Sequence, residues 1–567
     1  MTDIWFVGNT GVRNPLRIQD GLRVYADSSL IGRIRGVEGA VALMRLLCER
    51  GVLNNGAGKD ASGSYGRKWR LVFNLNGFTY PCVEKKDGFL QEELGPADVL
   101  TPFGEAFLRA DTVPAVQECF LRAMSMPMKP LKDGGCFSPL CWTLKVLLEI
   151  EKRTGSASVS FLEFAVCIQT TDPDWEMDRV AERILDIRRR REDSSAKKKF
   201  DRQVYEEAGK DYPKKNDNFK EYADMNLRYL RATGILQQKG RGICIVPEKH
   251  ALAERLAAGA VSREPLLDRL RKLCSTPPLP TDDAKVARAV LEDLLGQLKQ
   301  RHIAYDLAGF DLTKAAGINM ARHSLEEGLS RYKEELYAAG QPEKWEEISD
   351  YMELIGKRGG KKRYDDDNEI YVPKEEAAAY LEWCIWRAFL AIGSLTNKPY
   401  EVRRFRIDQD FLPVSTAPGN GPDLIAEFTE YVIVIEVTLS EGSRQEAMEG
   451  EPVRRHVADL AEKYEKPVYG LFIANHIDSN TAETFRTGVW YTKEDRKLTL
   501  QIVPFTLEQF RRFFRTIFAS DRASSEELIR LMENCAKDKA SLEAPEWKKR
   551  IGACVAGMEK GERFRRV

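Results

Sequence analysis

The spacing of apolar residues changes along the N-terminal part of the chain between helical and strand periods. Gly36 to Gly51 carries apolar residues at helical spacing, and Val99 to Ala110 predicts a short helix that opens on a Thr-Pro step. Between them, Ser62 to Val72 is glycine-rich, basic and aromatic, and it leads into the strand-like run Leu71 to Leu75. These patterns predict a mixed domain of helices and strands.

A helix followed by a hairpin is predicted further along. Met225 to Leu236 indicates a helix that runs into a glycine turn, and Gln237 to Val246 indicates a hairpin with a basic tip. Helix, turn and β-wing in this order are typical of a winged helix, which places a helix in the major groove of DNA. Any small α+β domain gives the same order, and this alternative stays open.

The middle of the chain has a different character. A proline-rich joint, STPPLPTDD, precedes two long charged helices that the pattern predicts at Ala284 to Gln300 and Ser324 to Ala339. Lys357 to Asp367 then forms a charged stretch with two glycines, which we interpret as a hinge. We expect this region to be a helical linker.

The most informative pattern is PDLIAEFTEYVIVIEV, Pro422 to Val437, in which two strand-like halves flank a Thr-Glu step. A two-residue turn there makes Asp423 face Glu436 on one side of the sheet, and Thr438 shares that face. Two carboxylates this close repel each other unless a cation lies between them, and Mg²⁺ takes such oxygen ligands. The register predicts a Mg²⁺ site, although two acids at an exposed strand end would show the same spacing.

The residues around this hairpin predict an α/β domain with a mixed sheet, because a strand, a helix and a strand in succession form a crossover unit. Within the helix predicted at 374–390, Trp383 and Trp386 are interpreted as core residues rather than as base-stacking groups. Besides the hairpin, the predicted elements are helices at 374–390, 449–464 and 507–518 and strands at 467–474 and 498–504.

Composition narrows the class of protein. A chain of 567 residues is too long to fold around a single hydrophobic core, so several domains are expected. Its 43% hydrophobic and 31% charged residues are typical of a globular protein. No apolar run approaches the ~18 residues of a membrane span, and the first residues do not resemble a secretory signal, so we expect a cytoplasmic protein without membrane contact. Eleven cysteines without paired spacing fit a reducing compartment.

The net charge is zero, with 87 acidic and 87 basic residues, so any binding of nucleic acid depends on local basic faces. Solvated helix faces are the alternative reading of every such cluster. The basic clusters are Arg188 to Arg191, Lys197 to Lys199, Lys214 with Lys215, and Gly359 to Arg363.

Several short motifs resemble the AlwI-type (BstNBI-like) family of type IIS restriction and nicking endonucleases. Ile435 to Thr438, Arg444-Gln445 and Glu449 to His456 resemble the catalytic region of that family. Leu381 to Arg387, with its Leu-Glu-Trp and Trp-Arg steps, resembles the opening helix of the catalytic domain. Asn9 to Pro15 is similar to the family's Thr-Thr-Val-Arg-Asn-Pro opening, although a glycine stands where a threonine is expected.

This resemblance implies a Mg²⁺-dependent PD-(D/E)xK nuclease that cuts outside an asymmetric recognition sequence. It implies that Asp423 and Glu436 are metal ligands and that Glu382 and Glu449 complete the acidic cluster. Thr438 occupies the position where the wider superfamily often has lysine.

The missing lysine leaves its role to another group. A second metal ion, Glu449, His456 or Arg444 are the alternatives, and Glu451 is a reserve for Glu449. Each of these alternatives stays open. For His456, a helix-face residue that contacts phosphate or solvent is an equally open reading.

Recognition of the DNA sequence is expected in the N-terminal half of the chain. Arginine bound to guanine is the commonest base-specific contact, whereas lysine mostly contacts phosphate, so basic residues are the candidates. Any of the candidate residues can equally be an ordinary surface residue. The first choices are Arg13, Arg67, Lys68 and Arg70, and the second choices are Arg228 on the predicted helix and Arg241 at the wing tip.

The fold predicted from these observations is multidomain α+β, with winged-helix-like recognition domains, a helical linker and an α/β nuclease domain. The expected substrate is double-stranded DNA, cut on both strands through a transient dimer of catalytic domains or nicked on one. A non-catalytic DNA-binding regulator and a structure-selective repair nuclease are the rival functions. The predicted domains are residues 1–150 and 151–275 for recognition, 276–370 for the linker and 371–567 for the nuclease.

Overall fold

Apolar side chains gather into one core in each of two units. The first unit ends at Leu329 and the second begins at Ser330. The structure is a computed structural model that describes residues 4–53, 60–212, 219–365, 368–537 and 539–562. Within these ranges, no helix has both the length and the apolar character needed to cross a membrane. The finer division into two recognition domains and a linker stays a prediction.

Helices form most of the first unit. Its helices are α1 (Ile18–Ala26), α2 (Gly36–Glu49), α3 (Ser64–Leu75), α4 (Gln91–Leu94), α5 (Pro102–Arg109), α6 (Val113–Ser125), α7 (Pro139–Thr154), α8 (Phe161–Glu163), α9 (Met177–Glu192), α10 (Lys197–Lys210), α11 (Phe219–Ala232), α12 (His250–Ala257), α13 (Leu266–Ser275), α14 (Ala284–Gln300) and α15 (Ala315–Ala339), which continues past the boundary of the unit.

Short strands accompany these helices. The strands are β1 (Lys129–Pro130), β2 (Cys136–Phe137), β3 (Ser158–Val159), β4 (Leu236–Lys239), β5 (Gly242–Ile245) and β6 (Val261–Ser262). They form antiparallel sheets of order β1-β2-β6 and β3-β5-β4.

Several predicted elements of this unit are confirmed. Helices α2, α5 and α14 occupy the predicted segments, and the hydroxyl of Thr101 caps α5 by accepting a 2.8 Å hydrogen bond from the Gly104 amide. Helix α11 is followed by the β4–β5 hairpin, in which Gly240 adopts a positive φ of 57°. The order of helix and hairpin is therefore as predicted, and the winged-helix assignment stays a prediction.

The prediction of a strand-like run at Leu71 to Leu75 is wrong, because Ser64–Leu75 forms helix α3. Gly66 packs against α2 so closely that a Cβ there would lie 1.9 Å from the Ala40 carbonyl oxygen. Trp69 and Phe73, four residues apart, are buried on the same side of α3 with their rings 5.9 Å apart. Helical spacing of these large side chains outweighs the strand propensity of the residues between them.

A buried cluster of charges joins α6 to the part of α15 that lies in the first unit. Glu118 is 2.5 Å from Nε2 of His323, is 2.9 Å from Nη2 of Arg122, and also pairs with Arg322. Burial alone would raise the pKa of Glu118, but the hydrogen bond from His323 and the positive charges hold that pKa well below its ordinary value. Burial would raise the pKa of Glu326 as well, but nearby positive charges, of which Arg322 carries one, lower it to about 2.

We expect Glu118→Gln to lower the free energy of unfolding at pH 7 by about 3 kcal/mol, because it leaves buried positive charge without its partner. The pKa of Glu118 is lower in the folded than in the unfolded chain. Its contribution is therefore present above the unfolded pKa and is lost as the pH falls through the folded one. Urea unfolding at pH 7 and at pH 3 measures both effects.

The matched control for this variant is Glu105→Gln, which removes an exposed ion pair of 3.8 Å with Arg109. It should change the stability by less than about 0.5 kcal/mol. Equal losses for the two variants, or a loss for Glu118→Gln that does not shrink in acid, would contradict the account of the cluster.

The second unit alternates helices and strands. Its elements are α16 (Trp345–Gly356), β7 (Gly360–Arg363), β8 (Glu369–Val372), α17 (Ala377–Ile392), α18 (Pro399–Val402), β9 (Leu424–Glu427), β10 (Val432–Thr438), α19 (Ser443–Gln445), a π-helical turn (Glu446–Gly450), α20 (Glu451–Lys463), β11 (Val468–Ala474), α21 (Ser479–Thr487), β12 (Val489–Tyr491), β13 (Lys497–Thr499), β14 (Gln501–Thr506), α22 (Leu507–Ala519), α23 (Ser525–Ala536) and α24 (Ala544–Glu559).

The sheet at the centre of this unit has the strand order β14-β11-β10-β9. Strand β10 is antiparallel to β9 and parallel to β11, and β11 is parallel to β14, so the sheet is mixed as predicted. Helix α20 lies in the connection between the parallel strands β10 and β11, which confirms the predicted crossover. Trp383 and Trp386 of α17 are buried in the core, also as predicted.

Four residues of the segment predicted as a hinge form a strand. Gly360–Arg363 forms β7, which pairs antiparallel with β8 in the register Lys361↔Tyr371. Lys362 and Arg363 form ion pairs with Asp350 and Glu369. Ladder hydrogen bonds therefore order residues whose glycines and charges, taken alone, indicated an open hinge. Residues 366 and 367 of the predicted hinge lie outside the described residues.

Candidate functional site

The β9–β10 hairpin places two acidic residues side by side at the end of its ladder. The pairs run from Val432↔Glu427 to Ile435↔Leu424, which is the predicted register, and the next pair outward is Asp423 with Glu436. Oδ2 of Asp423 accepts a 2.9 Å hydrogen bond from the Val437 amide. The side chain of Glu436 is only 9% exposed. The hairpin therefore holds both carboxylates at the edge of an apolar sheet.

Helix α17 contributes a third carboxylate. Glu382 is 5% exposed within a helix that is buried along almost its whole length. Its Oε2 accepts a 2.7 Å hydrogen bond from the amide of Ala417, which lies on the segment that precedes β9. Burial raises the pKa of Glu382, and the negative charges of Asp423 and Glu436 raise it further, so the three side chains belong to one electrostatic site.

The turn after β10 contributes a fourth. Glu449 lies in the π-helical turn Glu446–Gly450 and is partly buried. Burial raises the pKa of Glu449 and the nearby hydroxyl of Thr438 lowers it, while Oγ1 of Thr438 accepts a hydrogen bond from the Ser440 amide at 3.1 Å. Thr438 therefore lies near Glu449 and supplies no positive charge to the acidic cluster.

Burial is the largest cause of the raised pKa of each of the four carboxyl groups. It combines with their mutual repulsion to raise the pKa of Glu382 and Asp423 well above the usual range and that of Glu436 to about 8. The pKa of Glu449 is raised as well. A desolvated cluster of acids with raised pKa values is the electrostatic setting that a bound cation relieves.

His456 of α20 contacts this cluster directly. Its Nδ1 lies 2.6 Å from Oε1 of Glu436. Burial and the nearby positive charge of Arg455 lower the pKa of His456, against the opposing charge of Asp423, so a neutral ring can donate Nδ1–H to Glu436. In the described part of the chain, its Nε2 is buried without a hydrogen-bond partner. The structure thus places His456 inside the site rather than on a solvated helix face.

The other candidate residues of this region lie elsewhere. Arg444 is exposed, and Glu451 is exposed and paired with Arg455 at 3.1 Å. Arg404, which the sequence pattern did not single out, donates to the carbonyl oxygen of Pro422 at 3.1 Å and lowers the pKa of Glu436 by its charge. No periodicity or motif marks Arg404, because its position follows from tertiary contacts such as the bridge between Arg403 and Leu424.

The four carboxylates offer the oxygen donors that a divalent cation binds. Among the described residues, no group of three or more His, Cys, Asp or Glu side chains stands in an arrangement that would hold a metal ion. Oxygens of Glu382, Asp423 and Glu436 instead accept hydrogen bonds from Ala417, Val437 and His456. The chemistry of the donors nevertheless fits a hard cation, because all four are carboxylates whose repulsion the cation would offset.

Three of the predicted DNA-contacting residues lie around one loop of the first unit, Asn9 to Asn14. Arg13 and Arg228 share the carboxylate of Asp224 at 3.8 and 3.0 Å, and Lys68 packs against the backbone of this loop at Gly11. The hydroxyl of Tyr229 donates to the carbonyl oxygen of Val12 at 3.1 Å and anchors the loop to α11.

The other three predicted DNA-contacting residues have partners outside that loop. Arg70 pairs at 2.7 Å with Asp98, which is buried, and Arg67 donates to the carbonyl oxygen of Ser62 at 2.5 Å. Arg241 lies at the tip of the β4–β5 hairpin over the ring of Phe161. Each of these three arginines therefore already contacts another group of the chain.

The arginine run Arg188 to Arg191 is engaged in ion pairs. Arg188 pairs with Glu163, Arg189 and Arg190 pair with Asp186, and Arg191 pairs with Asp201. These contacts favour the reading of this cluster as a helix face within the unit. Lys214 and Lys215, another of the predicted basic clusters, lie outside the described residues.

Comparison with known proteins defines the class. The model of a family described as AlwI restriction endonuclease matches residues 85–513, well over half of the chain. The chain therefore belongs to the AlwI restriction endonuclease family, which confirms the resemblance found in the sequence. It is a restriction endonuclease, a site-specific enzyme whose substrate is DNA.

Among solved structures, the chain is similar to the small subunit (R.BspD6I2) of the heterodimeric restriction endonuclease R.BspD6I. The identity is 22%, over 37% of this chain and 98% of that chain, with a TM-score of 0.29. No curated protein matches the chain.

Replacing one carboxylate of the cluster should stabilise the second unit. We expect Glu382→Gln to raise its free energy of unfolding by about 1 kcal/mol at pH 7 in EDTA, because the amide keeps the hydrogen bond from Ala417 and carries no charge. Thermal unfolding of the two proteins measures the difference.

The control for that measurement is Glu526→Gln, at an exposed ion pair of 2.8 Å with Arg530, which should change stability by less than about 0.5 kcal/mol. Destabilisation by Glu382→Gln would show that repulsion within the acidic cluster is not a cost of folding.

Proposed function

We propose that this restriction endonuclease is of type IIS and that it hydrolyses DNA at a fixed distance from a short asymmetric sequence in the presence of Mg²⁺. The observation that carries the proposal is the cluster of Glu382, Asp423, Glu436 and Glu449 in the second unit. The candidate reading residues around Asn9 to Asn14 belong to the first unit. Separate units for reading and for cutting give a physical basis for cleavage outside the recognised sequence.

The proposed metal ligands are Asp423 and Glu436, with Glu382 and Glu449 completing the set, as in a PD-(D/E)xK site. A Mg²⁺ ion held there would polarise the phosphodiester, lower the pKa of the attacking water and neutralise the leaving oxygen. His456 orients Glu436 through Nδ1, and the Thr438 hydroxyl orients Glu449. On this proposal His456 and Thr438 orient the acids and do not supply the positive charge of the usual lysine.

Cleavage of supercoiled plasmid tests this proposal. Wild-type protein with Mg²⁺ should give discrete ends at one offset from one short asymmetric sequence, and both EDTA and Asp423→Ala should abolish them. The substitution removes one of the paired carboxylates and should lower the rate by at least about a hundredfold. Run-off sequencing of the products measures the offset, and Glu526→Ala, at an exposed residue, is the control.

The same experiment separates the remaining alternatives. Linear plasmid indicates cleavage of both strands, which we propose to involve transient pairing of two catalytic units, and an open circle indicates a nicking enzyme. Preference for branched DNA would indicate a repair nuclease. Membership of an endonuclease family argues against a non-catalytic regulator. DNA binding without cleavage in any divalent metal would overturn the proposed chemistry.

Binding of DNA to the first unit gives a separate prediction. We expect Arg13→Ala to weaken binding of the recognised duplex by about tenfold, because an arginine contact to guanine is worth about 1–3 kcal/mol. Turnover at saturating DNA should not change. Fluorescence anisotropy with the recognised duplex and with a scrambled duplex, at several salt concentrations, measures the effect.

A matched control is Arg189→Ala, which removes an exposed arginine paired with Asp186 and should leave affinity within about twofold. Equal weakening of both duplexes by Arg13→Ala would assign the residue to phosphate contact instead. Unchanged affinity for both duplexes would remove Arg13 from the proposed DNA-binding residues.

A further inference from the structure

A buried glutamine lies directly before the turn that carries Glu449. Gln445, the last residue of α19, has a relative exposure of 0%. Its Nε2 donates to the carbonyl oxygens of Ser440 at 2.9 Å and His476 at 2.8 Å, and its Oε1 accepts from the Asp478 amide at 2.8 Å. A carboxamide has two N–H donors and one acceptor oxygen, so every part of this group is engaged.

These three hydrogen bonds join two loops that follow neighbouring strands. Ser440 lies two residues after β10, and His476 and Asp478 lie just after β11. Because β10 and β11 are parallel, both loops leave the sheet at the same edge, where Glu436 and Thr438 also lie. Asp478 in turn caps α21 by accepting a hydrogen bond from the Asn480 amide. A single side chain therefore links the loop after β10 to the start of α21.

The π-helical turn Glu446–Gly450 begins at the next residue. It has a second attachment to α21, because the Thr484 hydroxyl donates to Oε1 of Glu446 at 2.8 Å. Wide turns of this kind are rare and are frequent at functional sites. Since Glu449 is the fourth residue of this turn, its position depends on these two attachments at the beginning of the turn.

We propose that Gln445 is a positioning residue for DNA cleavage: its buried carboxamide locks the loops after β10 and β11 together and so holds Glu449 against the other carboxylates. Thr484 supports the same turn from α21. This inference rests on the proposed role of Glu449. It assigns to Gln445 no contact with DNA or metal, because its three hydrogen bonds all go to the backbone of the chain itself.

The test is Gln445→Met, which keeps the length of the side chain and removes all three hydrogen bonds. We expect kcat for plasmid cleavage to fall about tenfold to a hundredfold, because a displacement of about 1 Å in a reacting group can cost a hundredfold. KM for DNA should stay within about twofold. Amide hydrogen exchange, a readout independent of activity, should accelerate in residues 439–450 and 475–484 and stay unchanged in β10 and β11.

Gln509 offers a matched control at the neighbouring strand. Its Oε1 accepts a 2.8 Å hydrogen bond from the Thr506 amide where β14 passes into α22. Gln509→Met therefore removes a glutamine hydrogen bond from the same sheet without touching the turn that carries Glu449. We expect it to lower stability and to leave kcat within about twofold of the wild type.

Two outcomes would overturn the inference: wild-type kcat in Gln445→Met, or a loss of kcat no larger than that of Gln509→Met. Where Gln445→Met does not fold, Thr484→Val removes the second attachment with little change of shape. A several-fold loss of kcat at constant KM then supports the account, and wild-type kcat in Thr484→Val overturns it.

Glu449→Gln separates this inference from the proposed function. If Glu449→Gln abolishes cleavage and Gln445→Met does not, the positioning role is wrong and the acidic site stands. If Glu449→Gln cleaves like the wild type, the proposed role of Glu449 is wrong, and the inference about Gln445 is overturned with it.

Discussion

Repulsion between buried carboxylates is the constraint on which the second unit depends. The sheet is apolar up to Ile435, and the next residue, Glu436, faces Asp423 where water is largely excluded. Burial and mutual repulsion disfavour the charged forms of both carboxyl groups, so the pKa of each is raised. The surrounding structure limits this cost with the Val437 amide and the His456 ring, although it also adds two further acids, Glu382 and Glu449. A cluster that is costly by itself and relieved by a cation is expected of a metal-dependent nuclease.

The elements that hold these acids come from distant parts of the chain. A helix supplies Glu382, a hairpin supplies Asp423 and Glu436, and a π-helical turn supplies Glu449. Only the hairpin pair is fixed by its own strand register. The positions of the other two acids depend on packing of α17 in the core and on the hydrogen bonds of Gln445. Residues from much of the second unit therefore determine where the four carboxylates lie.

The sequence predicted the hairpin because alternating strand residues and a two-residue turn leave one register, and the structure confirms it. It could identify Glu382 only through family resemblance, since no local period relates α17 to β10. Arg404 carries no signal, because its position follows from tertiary packing. The strand prediction at Leu71 to Leu75 is wrong because aromatic residues and Val72 also favour strands, whereas the helical spacing of the buried aromatic residues and the close approach of Gly66 to α2 fit the helix α3.

The central claim is that the four carboxylates form a site for a divalent cation. The most direct measurement is the thermal midpoint of the protein as a function of Mg²⁺ or Ca²⁺ concentration, without DNA. Binding to the folded state alone predicts a midpoint that rises with cation concentration in the wild type and stays constant in Asp423→Ala. A midpoint that is independent of the cation in both proteins, or that rises equally in both, would contradict the account.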